Sequence, residues 1–182
     1  MKSIAAFIAF QLVWLACAYS DVTGWIWLGP ACALLYLSFI SFEAVSVFTL
    51  AGLLALSGLV FDTALAQFGL VEYLDTAWPA GVAPLWLIAL WAAFAGPLMT
   101  TFDWLVGKPL LAAALGGIGG PFAYVAGESL GALTILESKT LALGAIGLEW
   151  AVVTPIGVWF GAKLKQRDAD LVASDDTQLK SA

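Results

Sequence analysis

The sequence predicts an all-α membrane protein, built as a compact bundle of six transmembrane helices. Of its 182 residues, 62% are hydrophobic and only 11% are charged, whereas soluble domains carry roughly 25% charged residues. The mean hydropathy is +0.97. Six apolar stretches follow one another along the chain, and each has about 18–23 residues, enough to cross a hydrocarbon core of about 30 Å.

The first stretch, Met1–Ser20, has two interpretations. It resembles a secretory signal peptide, because it has a lysine at position 2, then an apolar run and then small residues at 16–18. However, Gln11 and Trp14 interrupt the run, and further apolar stretches follow at once. The sequence therefore favours a retained first helix.

The second and third stretches, Gly24–Ser41 and Ala44–Phe61, lead into a polar loop. Trp25 and Trp27 suit the aromatic belt at a membrane interface. The loop, Val71–Gly81, is predicted to lie on the non-cytoplasmic side.

The last three apolar stretches are Val82–Phe102, Leu110–Gly131 and Thr140–Ala162. Gly96 and Pro97 predict an interior break in the first of them, because proline lacks the N–H of a helical hydrogen bond. Residues 1–162 thus form one transmembrane domain. Residues 163–182 alternate charges without periodicity, which is typical of a disordered cytoplasmic tail.

The positions of lysine and arginine predict the orientation, because cytoplasmic loops carry an excess of both. If the N-terminus is cytoplasmic, six of the seven lysine and arginine residues are cytoplasmic as well: Lys2, Lys108, Lys163, Lys165, Arg167 and Lys180. Only Lys139, at the end of a predicted turn over Leu133–Lys139, then lies outside. We therefore expect both termini in the cytoplasm.

Composition argues against several kinds of site. The chain has no histidine and two cysteines, so the usual zinc, haem and di-iron sites lack ligands, and we expect no metal and no cofactor. The acidic residues lie at helix ends, in one loop and in the tail, which argues against nucleic acid as a partner. For Cys17 and Cys32, two inert buried thiols are favoured over a disulfide.

The fifth stretch carries a glycine face. Gly116, Gly120, Gly127 and Gly131 fall at steps of four, seven and four, on one side of a helix. Such a face is typical of close helix packing, and a ligand groove is the alternative. Pro121 predicts a break in this helix.

Glu149 is the most informative ionisable residue, because a charge at a helix centre in the membrane costs about 2.5–3.5 kcal/mol on insertion scales. No basic residue lies at its predicted depth, so we expect a protonated carboxyl or a hydrogen bond to a neutral group such as Gln11. Two interpretations of Glu149 fit the sequence equally well. It is either a proton-linked or substrate-binding group, or a polar clamp between helices.

Asp62 and Glu128 lie near the non-cytoplasmic ends of the third and fifth stretches. Two such carboxyls could bind a cation, share a proton or act as acid and base, or each could simply mark the end of its helix. Tyr124, four residues before Glu128, is a candidate for a polar cavity wall or for an ordinary core hydrogen bond. Trp86 and Trp91 are interpreted as interfacial and lipid-facing.

Four segments together resemble one protein family: Phe10-Gln11 with Trp14, Gly58–Asp62, Ala83–Trp86 with Leu90, Trp91 and Phe94, and Gly116–Gly131 with Gly119-Gly120-Pro121 and Ala123-Tyr124. Over about Met1 to Ala162, the chain resembles the bacterial inner-membrane proteins catalogued as domain of unknown function 2878. The resemblance implies a multi-span bundle without established activity. It also implies that the genes of family members tend to lie beside genes for enzymes that modify membrane fatty acids, such as cyclopropane synthase-like methyltransferases.

Three functions fit these observations. An accessory or scaffold protein, which contacts the lipid bilayer and a lipid-modifying enzyme, is favoured because no nucleophile motif is present. A small proton-linked transporter or lipid permease predicts a continuous polar cavity that reaches Glu149. An intramembrane enzyme acting on acyl chains predicts a lateral opening to Asp62, Glu128 and Tyr124. The sequence does not decide whether the protein is an enzyme.

Overall fold

The computed structural model describes residues 2–41, 46–73, 79–136 and 138–181. In these ranges the helices are α1 (Lys2–Val22), α2 (Leu28–Ser41), α3 (Val47–Gln67), α4 (Leu85–Ala93), α5 (Ala95–Thr100), α6 (Pro109–Ser129) and α7 (Lys139–Ser181). Two short strands, β1 (Val71–Tyr73) and β2 (Leu133–Ile135), and a 3₁₀ turn at Asp103–Leu105 complete the described structure. Positions 44–45 of the predicted third stretch and 74–78 of the predicted loop lie outside it.

Three helices in the described ranges are long and apolar enough to cross a membrane: Val47–Gln67, Pro109–Ser129 and Lys139–Ser174. Three shorter apolar helices match the other predicted stretches in position: Ile4–Ser20, Leu28–Ser41 and Leu85–Thr100. The prediction of a helical protein with helices able to span a membrane is therefore confirmed at this level.

The helices pack in two groups that α7 joins. In the first group, α1 packs on α2, α4 and α5, and α3 packs on α4. In the second group, α6 has its main helix contact with α7, and α7 also contacts α3 and α5. Residues of α1 and of α6 line one common cavity, so these two helices stand on either side of a gap.

The predicted break at Gly96 and Pro97 is present as the division between α4 and α5, next to Phe94. A Cβ at Gly96 would overlap the ring of Tyr36. The Tyr36 hydroxyl donates a hydrogen bond to the carbonyl of Ala6 at 3.2 Å. A residue without a side chain thus lets α2 pack closely against the broken helix.

The other predicted break, at Pro121, is absent, since α6 continues through it. Proline removes the helical donor for the carbonyl of Gly117, four residues earlier. On α7, a Cβ built on Gly147 would lie 3.0 Å from that oxygen. In glycine a hydrogen takes the place of the Cβ, so a Cα–H of Gly147 points at the carbonyl oxygen. Packing of α7 therefore covers the place where the helical hydrogen bond is missing.

The two strands correct the sequence analysis, which placed a loop at 71–81 and a turn at 133–139. β1 and β2 pair antiparallel, with Tyr73 opposite Leu133. Val71, Leu133 and Ile135 are buried, so this ribbon packs on the bundle. We call this side of the bundle the strand end.

α7 differs from the sequence analysis after Lys163, because it continues as a helix where a disordered tail is predicted. Lys165 Nζ lies 2.6 Å from Asp103 Oδ2. The Asp168 carboxylate accepts hydrogen bonds from the Ser46 N–H at 3.0 Å and from the Ser46 hydroxyl at 2.5 Å, at the N-terminus of α3, where a negative charge is favourable. These contacts hold α7 against distant segments, which a local charge pattern does not reveal.

Cys17 and Cys32 carry free thiols, as the favoured prediction has it, but only Cys17 is buried, and Cys32 is partly exposed. Cys17 is fully buried, and its Cα lies 2.7 Å from the position of a Cβ on Gly29. The backbones of α1 and α2 are therefore in close contact at this point.

Candidate functional site

Asp62 on α3 is the centre of a buried polar cluster. Its side chain has no exposed surface, and three donors from three other elements reach its carboxyl group. The hydroxyls of Tyr73 from β1, at 2.8 Å, and of Tyr124 from α6 donate to Oδ1, and Trp91 Nε1 from α4 donates to Oδ2 at 2.6 Å. We call these four residues the Asp62 cluster.

The hydrogen bonds of the Asp62 cluster fit an ionised carboxylate. An ionised carboxylate only accepts hydrogen bonds, and all three partners donate. Burial first, and then the neighbouring Asp62 carboxyl, raise the pKa of Tyr73 well above its usual value, so its phenol keeps the proton that it donates. Hydrogen bonds to a charged acceptor are roughly twice as strong as those between neutral groups. The cluster therefore ties α3, α4, α6 and β1 together.

Trp91 and Trp86 are only 2% and 4% exposed, so their interpretation as lipid-facing residues is wrong. The Trp91 ring stacks on Trp150 of α7, with ring centroids 4.5 Å apart and planes 20° apart. A Cβ at Gly58 of α3 would overlap the same ring. Space left by that glycine, and the hydrogen bond to Asp62, hold Trp91 inside the bundle.

A cavity of about 510 Å³ lies beside the Asp62 cluster, between α1 and α6. Its α1 wall consists of residues at helical spacing: Phe7, Phe10, Gln11, Trp14 and Ala18. Its α6 wall extends from Leu115 to Gly127, about 18 Å at a helical rise of about 1.5 Å per residue. α4 and α7 close the cavity behind these walls. We call it the α1–α6 groove.

The α1–α6 groove is largely apolar and reaches the surface of the bundle. Three residues on its walls, Phe7, Leu115 and Phe122, are 37%, 44% and 70% exposed. Tyr124 and Trp91 belong both to the groove wall and to the Asp62 cluster. A ligand in the groove would therefore contact the residues that hold the buried carboxylate.

Glu149 is buried beside this cluster, with 7% of its surface exposed. Its Oε1 atom has no hydrogen-bond partner among the described residues. It interacts electrostatically with Asp62, and two ionised carboxylates there would repel each other. The predicted partner Gln11 is exposed on the groove wall, and no hydrogen bond joins it to Glu149 in the described part of the chain. Glu149 itself is not among the described groove-lining residues.

Glu128 has partners of its own. Its carboxylate forms an ion pair with Lys139 at 2.9 Å and accepts the N–H of Ile135 at 3.0 Å. Tyr124, on the same helix, donates to Asp62 instead. The structure thus brings Asp62 together with Tyr124 and Glu149, and it leaves Glu128 in a separate ion pair between α6 and α7.

The predicted glycine face divides into three parts. A Cβ at Gly116 or Gly120 would overlap α7, at Thr154 and at the Trp150 ring respectively. A Cβ at Gly127 would lie 3.4 Å from Leu133. Gly131 has φ +79° and nothing within 4 Å of a Cβ position, so it lies in the turn that ends α6, where this conformation favours glycine.

A comparison with known protein families matches residues 3–156 to the family described as "Protein of unknown function (DUF2878)". The chain belongs to this family. The match confirms the resemblance stated from the sequence. Comparisons with curated proteins and with solved structures gave no match.

In this DUF2878 protein, the segments that carry the resemblance converge on one place. Gly58–Asp62 supply the buried carboxylate and the space for the Trp91 ring. Phe10, Gln11 and Trp14 line the groove. The family resemblance thus covers the site as well as the helices that support it.

Sequence reasoning missed three functional candidates, Tyr73, Trp91 and Trp150. Tyr73 lies in a segment predicted as a loop, and only its pairing in β1 brings it to Asp62. Trp150 directly follows Glu149, and its ring stacks on Trp91. The available signal for Trp150 was an aromatic residue next to an acid within a long apolar stretch, which also occurs in ordinary helix packing.

Proposed function

We propose that this protein binds an acyl chain of a membrane lipid in the α1–α6 groove. One observation carries the proposal, namely a largely apolar groove of about 510 Å³ between two helices, open to the surface. Its volume lies within the range of about 300–1,000 Å³ that is usual for ligand pockets. The groove extends along both helices, so an extended hydrocarbon chain fits it better than a compact ligand.

The lining favours hydrocarbon over a polar solute. Phe7, Phe10, Trp14 and Phe122 present aromatic surface, and no Lys, Arg, Asp or Glu is among the described lining residues. A proton-linked transporter predicts a polar path to Glu149, whereas the groove is apolar and Glu149 lies outside its described lining. The groove thus supports lipid binding.

The proposal includes a membrane arrangement. Six apolar helical segments and the distribution of lysine and arginine support six spans with both termini cytoplasmic, in the bacterial inner membrane. The strand end, with Lys139, then faces the non-cytoplasmic side. In a Cys32→Ser background, which removes the partly exposed native thiol, we expect a Ser138→Cys variant to react with a membrane-impermeant thiol reagent in intact spheroplasts. A Ser174→Cys variant in the same background should react only after lysis. The reverse pattern would contradict this orientation.

Within this arrangement, the protein acts as an accessory that holds a lipid chain for an enzyme of acyl modification, the association implied by the family resemblance. Cells that lack the gene are then expected to differ from the parent strain in membrane acyl composition. An identical composition would contradict the link to lipid modification and leave the binding proposal in place.

Gly119→Leu tests binding directly. Gly119 lines the groove, and nothing lies within 4 Å of its Cβ position, so a larger side chain there starts from open space and takes up room in the groove. We expect labelling of the purified protein by a photoactivatable diazirine fatty acyl lipid in nanodiscs to fall by about tenfold, which corresponds to about 1.4 kcal/mol of binding free energy.

Gly52→Leu is the matched control. Gly52 is an exposed α3 glycine, also with nothing within 4 Å of its Cβ position, and it does not line the groove. Both substitutions raise helix propensity alike. Labelling of the Gly52 variant should equal that of the wild type, and equal labelling of both variants would contradict the proposal.

A further inference from the structure

Trp86 carries a buried hydrogen-bond donor at the strand end of the α1–α6 groove. Trp86 lines the groove and is 4% exposed, and its Nε1–H has no hydrogen-bond partner among the described residues. It is the second residue of α4, and its ring lies edge-on to Tyr73 of β1, with centroids 6.5 Å apart. A buried N–H without a partner is energetically unfavourable, so an acceptor on a bound ligand would stabilise this site.

The two other unpartnered groove residues lie in a different setting. The Thr154 hydroxyl packs against Gly116, and the Trp150 ring packs between Gly120 and Trp91. Both are at the contact of α6 with α7, where helix packing already fills the space. Trp86 differs because it lies on α4, away from that contact, and lines the groove at the end where Gly127 and Leu133 also line it.

The charges around Trp86 favour a neutral acceptor. The adjacent Tyr73 donates to Asp62, whose hydrogen bonds fit a carboxylate. No Lys or Arg is among the described residues that line the groove. A carboxylate on the ligand would thus be buried near another negative charge without a cation, which is strongly unfavourable. An ester carbonyl accepts the same hydrogen bond without a charge.

We propose that the bound chain is esterified and that its carbonyl oxygen accepts a hydrogen bond from Trp86 Nε1, so that the lipid enters from the leaflet at the strand end. The hydrocarbon tail then extends along α1 and α6 toward Phe102 and Leu105 at the opposite end of the groove. This inference rests on the proposed function and names its ligand class, an acyl ester lipid rather than a free fatty acid.

Ester and ether lipids test the carbonyl. A diester phospholipid and a diether phospholipid with the same headgroup and chain length differ in having or lacking the two carbonyl oxygens. We expect the wild-type protein in nanodiscs to bind the diester about fivefold more tightly, the size of one ordinary hydrogen bond. In Trp86→Phe, which keeps a ring and loses the N–H, this preference should vanish while affinity for the diether stays unchanged.

The controls separate the possible failures. Trp27→Phe, at a residue that is 67% exposed and does not line the groove, should keep the ester preference. An unchanged diether affinity in Trp86→Phe shows that its groove is intact. Equal affinity of the wild type for both lipids, or an ester preference that survives in Trp86→Phe, overturns the carbonyl contact alone. Absence of saturable binding of either lipid overturns the proposed function itself.

Free fatty acid forms a third arm. The wild type should bind the ester lipid more tightly than a free fatty acid of the same chain at pH 8, where the acid is ionised. Tighter binding of the free acid would contradict the argument from charge around Trp86.

Discussion

Replacing Asp62 by Ala is expected to lower the free energy of unfolding by about 3–5 kcal/mol, the range seen when one partner of a buried charged contact is removed. The substitution leaves three donors without their acceptor: those of Tyr124 and Trp91, which are buried, and that of Tyr73, which is partly buried. Each unsatisfied buried group costs about 1–3 kcal/mol. The variant can be compared with the wild type by urea unfolding in a mild detergent.

Asp103→Ala is the control for this experiment. Asp103 is a carboxylate too and forms an ion pair with Lys165, but its side chain is 51% exposed. Exposed pairs contribute about 0–1 kcal/mol, so its loss should change stability little. If Asp62→Ala were as stable as Asp103→Ala, the Asp62 cluster would not be the link between the helices that the structure indicates.

Gly58→Ala is expected to destabilise the protein by about 1–3 kcal/mol, as overpacking of a filled core does. The new methyl group would overlap the Trp91 ring. That ring has little freedom to move, because it stacks on Trp150 and donates a hydrogen bond to Asp62 at 2.6 Å. Any shift of Trp91 that relieves the overlap also disturbs the Asp62 cluster.

The same change on the same helix provides the control. Gly52→Ala adds a methyl group with nothing within 4 Å and should stabilise the helix by up to about 1 kcal/mol, the difference in helix propensity between the two residues. The two variants are thus expected to shift thermal unfolding in opposite directions. A Gly58→Ala variant at least as stable as the wild type would contradict the close packing of α3 on Trp91.

The helical class, the presence of helices able to span a membrane and the family could be predicted, because they depend on properties that accumulate along the chain. Mean hydropathy, the lengths of apolar stretches and the order of short motifs are all local or additive. Asp62 could also be selected as a candidate, since a carboxyl at the end of an apolar stretch stands out. What it does was not predictable, because its partners come from β1, α4 and α6.

The errors have a common physical origin in long-range contacts. Trp91 has a sequence context typical of a lipid-facing residue, and only the space at Gly58 places it in the core. A proline inside a helix usually disturbs it. At Pro121, however, α7 packs against the carbonyl of Gly117 that lacks its helical donor, and α6 continues. The strands β1 and β2 have three residues each, and their pairing spans about sixty residues of sequence, which no local pattern reports.

The central claim is that a lipid chain occupies the α1–α6 groove, and the sites of photolabelling test it most directly. After irradiation with a diazirine acyl ester lipid, mass spectrometry of the digested protein identifies the modified residues. Attachment should concentrate on groove residues of α1 and α6, such as Phe10, Trp14 and Ala123. Attachment spread evenly over the exposed faces of the helices, for example at Leu53 and Leu56 of α3, would contradict it.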